Sequence, residues 1–288
     1  MKILIPNIEV PILHDVAQCL ESIKERASLT PLLWNVQQKP LLDIFDEGGA
    51  DLLFLHTSQL DTSFVIPAEE FDFKYILVGD GIPKGITKMP EVILSTKEFV
   101  NRFPKGSNII QITPAARIAQ IFNASYDIKK ESEVLVNTNH IEITPKIFEL
   151  LSFLTNEYSV KIIGNNVVNL HYYLGSVNMF ERANFIKSTK ALVDLNSQEC
   201  WDAAYLKIPA VCKDPTQNFL TFKDIKGLKT TLDTLLTEND DRQRYIDKSY
   251  KEVCNGNTYY HLAHKIFKSM NNTNTAQHLE DYIEELIG

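Results

Sequence analysis

Residues Ala191–Val211 read ALVDLNSQECWDAAYLKIPAV. Ala191–Leu195 is a largely apolar run of strand length. A polar turn, Asn196 to Glu199, follows it. A helix is expected around Trp201–Leu206, and it must end before Ile208-Pro209, because the residue preceding a proline is pushed out of the helical region. Pro209–Cys212 is then a second short apolar strand. Two strands joined through a helix read as a parallel pair, because a parallel connection needs a crossover of this kind. A chain built from such units has parallel sheets with helices on both faces.

The same alternation extends in both directions. Toward the N-terminus, strands are expected at Lys2–Ile5, Asp51–His56 (after Gly48-Gly49), Tyr75–Val78 (closed by Gly79, Asp80 and Gly81), Ile93–Leu94 and Ile109–Ile112. Asp15–Arg26 has Val16, Cys19, Leu20 and Ile23 at helical spacing. A second helix is expected near Lys97–Phe103, and Thr113-Pro114 reads as a helix start. A second series has strands at Val134–Val136, Val160–Ile163 and Tyr172–Leu174, and helices from Thr144-Pro145 to Leu154 and over Met179–Lys187. From Lys223 onward the pattern is helical: Lys223–Leu236, Asp240–Val253, Tyr259–Lys268 and, after the linker Met270–Ala276, Gln277–Leu286. The fold class is therefore α/β with two Rossmann-like domains. The expected division is 1–130, 131–270 and a C-terminal helix at 271–288 packing back on the N-terminal domain, with the boundary in the polar stretch Ile128–Ser132.

The chain has 288 residues, 44% hydrophobic and 23% charged, with a net charge of −8. This is globular composition, long enough for two cores that need no metal or disulfide staple. No apolar run approaches the ~18 residues of a membrane span. Pro6, Asn7, Glu9 and Pro11 break up the N-terminus against a signal peptide. The four cysteines show no metal or redox spacing. The expectation is a cytoplasmic protein with reduced thiols. Charge is uneven: residues 1–80 carry net −8, residues 81–130 net +5 and the remainder net −5. The central basic segment fits a polyanion surface, or merely solvated lysines.

Several nucleotide and hydrolase motifs are missing. No G-x-G-x-x-G follows the first strand, no phosphate loop occurs, and neither H-E-x-x-H nor G-x-S-x-G is present. In open parallel sheets, ligands meet the loops at the carboxyl ends of the strands, here expected in a cleft between two facing domains. Asp80, between Gly79 and Gly81 after an apolar strand, is a candidate general base in such a loop; the same pattern fits an Asp-Gly turn with no chemistry. His14 and Asp15, after the first strand, are the competing acid/base pair, with Asp15 also fitting a helix cap. His56 reads as a strand-end histidine.

The strand–turn–helix–proline–strand order of 191–211 resembles the donor segment of glycosyltransferases with the two-domain GT-B fold. Among these the chain looks most like bacteriophage DNA β-glucosyltransferases, in short, patchy matches. Trp201-Asp202 stands where those enzymes have Trp-Glu. VKIIGN (Val160–Asn165) is similar to their strand ending in Gly-Asn, YLGSV (Tyr173–Val177) to the segment whose backbone meets the uracil, and KYILVGDGIP (Lys74–Pro83) to the segment that carries the catalytic base. The resemblance implies a UDP-sugar donor, with Asp202 accepting from the ribose hydroxyls and backbone N–H groups of Ser197, Gln198, Glu199 and Cys200 offered to the diphosphate. Gly175 and Val177 fall in the uracil segment. The chain departs from the family at Glu199, where the relatives carry a phosphate-binding arginine, and in Thr138–Thr144, which lacks the others. Diphosphate contacts then fall to Thr138, His140 and backbone amides. A Mg²⁺ or Mn²⁺ ion held mainly by the diphosphate would leave little trace in the sequence; no protein metal site is expected.

The implied activity is a hexosyl- or pentosyltransferase acting on a hydroxyl acceptor. The first expectation for that acceptor is hydroxymethylcytosine in double-stranded phage DNA, with Lys84 and Lys88 on its phosphates and the protein in the host cytoplasm. The alternatives are a glycan or small-molecule acceptor, and a non-catalytic GT-B-like binding protein. A sugar-nucleotide epimerase of the same fold needs a richer set of acid/base groups.

Overall fold

The computed structural model describes residues 1–7, 10–34, 49–59, 74–82, 88–122, 132–165, 170, 172–196, 199–213, 219–237 and 239–287. It divides into two units. The first comprises Met1–Thr113 and Tyr259–Gly288, the second Pro114–Thr258. The divisions therefore fall at Thr113 and Thr258 rather than near 130 and 270. The last two helices, not the last alone, return to the first unit.

The first unit holds a six-stranded sheet in the order β2-β1-β3-β4-β5-β6. Its strands are β1 (Lys2–Pro6), β2 (Thr30–Trp34), β3 (Leu52–His56), β4 (Lys74–Val78), β5 (Val92–Ser95) and β6 (Ile109–Gln111), and every pairing is parallel. Central strands such as LLFLH are apolar on consecutive residues because both faces are covered. Leu4, Leu53, Tyr75, Leu77 and Ile93 form one buried cluster. β2 escapes the sequence pattern because it is an edge strand. Three of its five residues are exposed, and it begins Thr-Pro, which an edge tolerates. Helix α1 (Pro11–Ser22) starts four residues before Asp15, with Pro11 at its favoured first turn. It ends at Ile23, and the single turn α2 (Lys24–Ala27) is closed by Ser28 in the left-handed conformation, φ 51°. The expected helix near Lys97–Phe103 is only a 3₁₀ turn, Val100–Arg102.

The second unit holds the sheet β11-β10-β9-β7-β8. Its strands are β7 (Ser132–Asn137), β8 (Val160–Ile163), β9 (Thr189–Asp194), β10 (Ala210–Cys212) and β11 (Leu220–Thr221), again all parallel. Its helices are α3 (Ile118–Phe122), α4 (Pro145–Glu157), α5 (Met179–Lys187), α6 (Glu199–Tyr205), α7 (Ile225–Leu236) and α8 (Asp240–Cys254). Side-chain caps set the starts of three. Thr144 accepts from the Ile147 N–H, Asp224 from Gly227 and Asn239 from Arg242. Val134, Val136, Leu151, Ile162, Val193 and Leu232 are among the core side chains. Thr113-Pro114 does not open a helix; Ala116 pairs instead with Thr258, and α3 starts at Ile118. The expected strand Tyr172–Leu174 is reduced to one bridge, Tyr173 to Ile162.

The chain returns to the first unit as α9 (Tyr259–Ser269) and α10 (Thr273–Ile287). Tyr260 on α9 donates its hydroxyl to Ser22 Oγ at 2.9 Å, and Glu285 on α10 pairs with Arg26 at 2.6 Å. α10 begins earlier than expected because Asn272 accepts from the Thr275 N–H. No helix among the described residues is long and apolar enough to cross a membrane.

Candidate functional site

In the first unit the carboxyl ends of β3, β4 and β5 open into a cavity of about 680 Å³. His56 ends β3, Gly79 and Asp80 follow β4, and Ser95 ends β5; Ile12 on α1 and Tyr259 on α9 also line it. Gly79 has φ +143°, and a Cβ there would lie 2.2 Å from the Thr57 hydroxyl oxygen. Only glycine permits that approach, which lets Thr57 donate to Asp80 Oδ1 at 3.3 Å. Arg102 pairs with Asp80 Oδ2 at 3.5 Å and stacks over the Phe99 ring at 4.4 Å. Asp80 is the single carboxylate among the described lining residues.

His56 has its tautomer set by the backbone. The Ser58 N–H donates to Nδ1 at 3.2 Å, and Ser58 Oγ lies 2.7 Å from the same nitrogen. An accepting Nδ1 leaves the proton on Nε2. Burial lowers the imidazole pKa against the opposing pull of Asp80, so His56 is neutral at pH 7.

His14 and Asp15 do not line this cavity. His14 borders a separate one, with Leu32 and Leu33 of β2. Asp15 is buried in the body of α1, whose N-cap is Val10, and therefore does not cap the helix. With burial as the larger cause, its charge pushes the Cys19 thiol well up. Lys84 lies outside the described residues. The Lys88 carbonyl accepts from the Tyr75 hydroxyl.

In the second unit, the ends of β7 and β9 and the start of α6 enclose a buried charged network. Asp202, only 5% exposed, accepts from the Arg117 backbone N–H at 2.8 Å on Oδ1, and on Oδ2 from Arg117 Nε at 2.8 Å and Nη2 at 2.5 Å. Oδ2 thereby has both lone pairs engaged and Oδ1 one of its two. Burial pushes the Asp202 carboxyl up against the pull of Arg117. Glu199 accepts from Arg182 at 2.7 Å, Arg117 at 3.4 Å and Asn137 at 2.5 Å. Asp194, fully buried, accepts from Asn137 at 3.1 Å and from the Asn196 and Cys200 N–H groups at 3.0 Å each. Burial, and then the Glu199 charge, raise its pKa to about 7.

The Cys200 N–H is thus engaged by Asp194. Ser197 and Gln198 lie outside the described residues. The Cys200 and Cys212 sulfurs lie side by side, where the start of α6 meets the end of β10, whereas Cys19 and Cys254 are apart from any other thiol.

Thr138 and Gly175 meet at Gly164. The Gly164 N–H donates to the Gly175 carbonyl at 3.0 Å, and the Thr138 hydroxyl donates to the Ile163 carbonyl at 3.1 Å. A Cβ on Gly164 would come within 2.1 Å of the Thr138 hydroxyl oxygen. His140, exposed at φ +58°, turns the chain just beyond, and half-buried Val177 lies two residues past Gly175. Among the described residues, no three His, Cys, Asp or Glu side chains are placed to hold a metal ion.

Asn137, Asp194, Arg117 and Arg182 are absent from the residues proposed on sequence. A polar Asp and Asn at the ends of otherwise apolar strands are the signal that marks the first two; the arginines carry none.

No family profile matches the chain, and no curated protein matches it in sequence. Solved structures do match. Sucrose-phosphate synthase from Thermosynechococcus elongatus aligns over 96% of this chain and 100% of its own, at TM-score 0.63 and 7% identity. UDP-GlcNAc 2-epimerase from Neisseria meningitidis, bound to UDP-GlcNAc, aligns over 94% and 100%, at 0.59 and 11%. HepE from Anabaena, in complex with UDP and glucose, aligns over 94% and 100%, at 0.58 and 10%. At such identities the likeness is one of fold. The chain has a GT-B-like α/β fold of two Rossmann-like units. The narrower resemblance to phage DNA glucosyltransferases is carried by the sequence motifs alone.

Proposed function

We propose that the protein is a nucleotide-sugar glycosyltransferase that moves a sugar from a UDP-sugar to a hydroxyl acceptor. The observation that carries this reading is Asp80. It is a carboxylate at a strand end, oriented by Thr57 and Arg102, on a cavity of small-molecule size in a GT-B-like fold. Asp80 takes the proton of the acceptor hydroxyl as its oxygen bonds to the anomeric carbon. The bond from that carbon to the diphosphate oxygen breaks, and UDP departs with the electron pair. Neutral His56 lines the same cavity.

The second unit takes the nucleotide. Asp202 accepts one ribose hydroxyl on the second lone pair of Oδ1 while Arg117 holds Oδ2, a narrower role than a carboxylate with both oxygens unengaged. The main chain around Thr138–His140 and Gly175–Val177 faces the uracil and diphosphate.

The DNA form of the reading rests on Lys84 and Lys88. Two other cations of the basic segment are already engaged by carboxylates, Arg117 by Asp202 and Arg102 by Asp80. A second reading, a UDP-sugar epimerase, is favoured by the imidazole and carboxylate sharing one cavity and by fold neighbours of that name.

The test is a thermal-shift panel of UDP-sugars followed by product analysis. A ligand at 100 times its Kd stabilises by about 2.7 kcal/mol. Transfer to an added acceptor supports the transferase. Conversion of a UDP-sugar to its epimer without any acceptor supports the second reading. No stabilisation by UDP or any UDP-sugar refutes both.

A further inference from the structure

We infer that the cavity of the first unit takes an uncharged, largely apolar acceptor bearing one or two hydroxyls, a phenol-like molecule rather than an oligosaccharide or a nucleic acid. The inference deepens the transferase reading and rests on it for the chemistry, but not for the binding.

The walls decide the class. Ile12, Val78, Leu94, Phe99, Ile112 and the Tyr259 ring supply hydrocarbon and aromatic surface. The polar groups gather at the ends of β3, β4 and β5, where His56, Thr57, Ser58, Asp80, Ser95 and Thr96 lie. A sugar carries hydroxyls all around its ring, and each one buried without a partner costs about 1–3 kcal/mol. The strand ends offer such partners, but the apolar walls formed by residues such as Ile12, Phe99 and Ile112 offer none. A polyanion needs cations, and no Lys or Arg is among the described lining residues. Arg102 is held between Asp80 and the Phe99 ring.

Ser95 points to a ligand independently. It ends β5 on the cavity wall, is 1% exposed, and its hydroxyl has no hydrogen-bond partner among the described residues. An unmet buried hydroxyl is costly, and a change of the Ser95 rotamer that bares Oγ to the cavity would let a ligand hydroxyl satisfy it. The occupant thus has an apolar ring face for Phe99, a hydroxyl for Asp80, and a second polar atom within reach of Ser95.

The test uses the whole chain and 4-methylumbelliferone, a fluorescent phenol, titrated without nucleotide. Saturable binding is expected. Ser95→Val, which loses no hydrogen bond within the protein and adds methyl groups to the cavity wall, should weaken it at least about 10-fold with the unfolding midpoint retained. Phe99→Ala, should Ser95→Val fail to fold, should weaken it by about 5–10-fold through the lost ring contact. Parallel titrations use maltotriose and a hydroxymethylcytosine duplex. No binding of the phenol, or binding unaffected by either variant, overturns the inference, as does tighter binding of maltotriose or the duplex that Ser95→Val abolishes. A protein that binds the phenol but no UDP-sugar supports the cavity assignment and refutes the transferase. One that binds a UDP-sugar but not the phenol refutes the cavity assignment and leaves the transferase reading standing.

Discussion

Replacing Arg117 with Met tests whether the second unit is held by its buried network. Asp202 then loses both side-chain donors, Nε and Nη2, and keeps only the residue 117 backbone N–H. Glu199 keeps Arg182 and Asn137. Asp202 is therefore the stranded charge, and removing one partner of a buried pair costs about 3–5 kcal/mol. Asp202→Asn should cost less, about 1–3 kcal/mol, because Arg117 still has Glu199 at 3.4 Å and the new amide oxygen can still accept from the backbone. In the double variant the losses should overlap by about 1–3 kcal/mol, the coupling of residues in direct contact. The two tryptophans make the assay unit-specific. Trp34 lies in the core of the first unit, whereas Trp201 is one residue from Asp202 and edge-on to Phe219 at 5.0 Å. Urea unfolding followed by Trp201 fluorescence in a Trp34→Phe background reports the second unit. A loss below about 1 kcal/mol for Arg117→Met, or zero coupling in the cycle, would refute the claim that this pair organises the site.

Other outcomes follow from the same geometry. Asp80→Asn should leave UDP affinity unchanged and cut transfer by about 10²–10⁴-fold, measured as product formation at saturating donor. Gly164→Ala should destabilise the second unit by about 1–3 kcal/mol, since its Cβ meets a buried Thr138; adding Thr138→Ala should recover part of that loss. Asp194 carries a raised pKa of about 7 against an ordinary 3.8, so the native state holds a proton that the unfolded chain has released. Its contribution is complete below about pH 4 and is lost as pH rises to about 7, with a slope of at most about 1.4 kcal/mol per pH unit. Asp194→Asn should flatten the midpoint-versus-pH curve in that window.

The sequence alone determined the parallel sheets. Strands buried on both faces must be apolar on consecutive residues, and helices between them must repeat near 3.6, so LLFLH, YILV and ALVDL were legible without contacts. The position of Asp80 was legible too, because Gly-Asp-Gly after an apolar run places a carboxylate at a strand's carboxyl end. β2 was not, since an edge strand with exposed leucines and a proline lacks the periodic signal of a covered one. The start of α1 was misplaced because Pro11 reads equally as a break or as a first turn. Only the tertiary structure decided that Arg117 meets Asp202 85 residues away, that Asn137 bridges Asp194 and Glu199, and that His56 shares a cavity with Asp80 while His14 does not. Periodicity records which face of an element is buried. It holds no record of which buried charges find each other, because those pairings depend on how the crossovers bring the strand ends together.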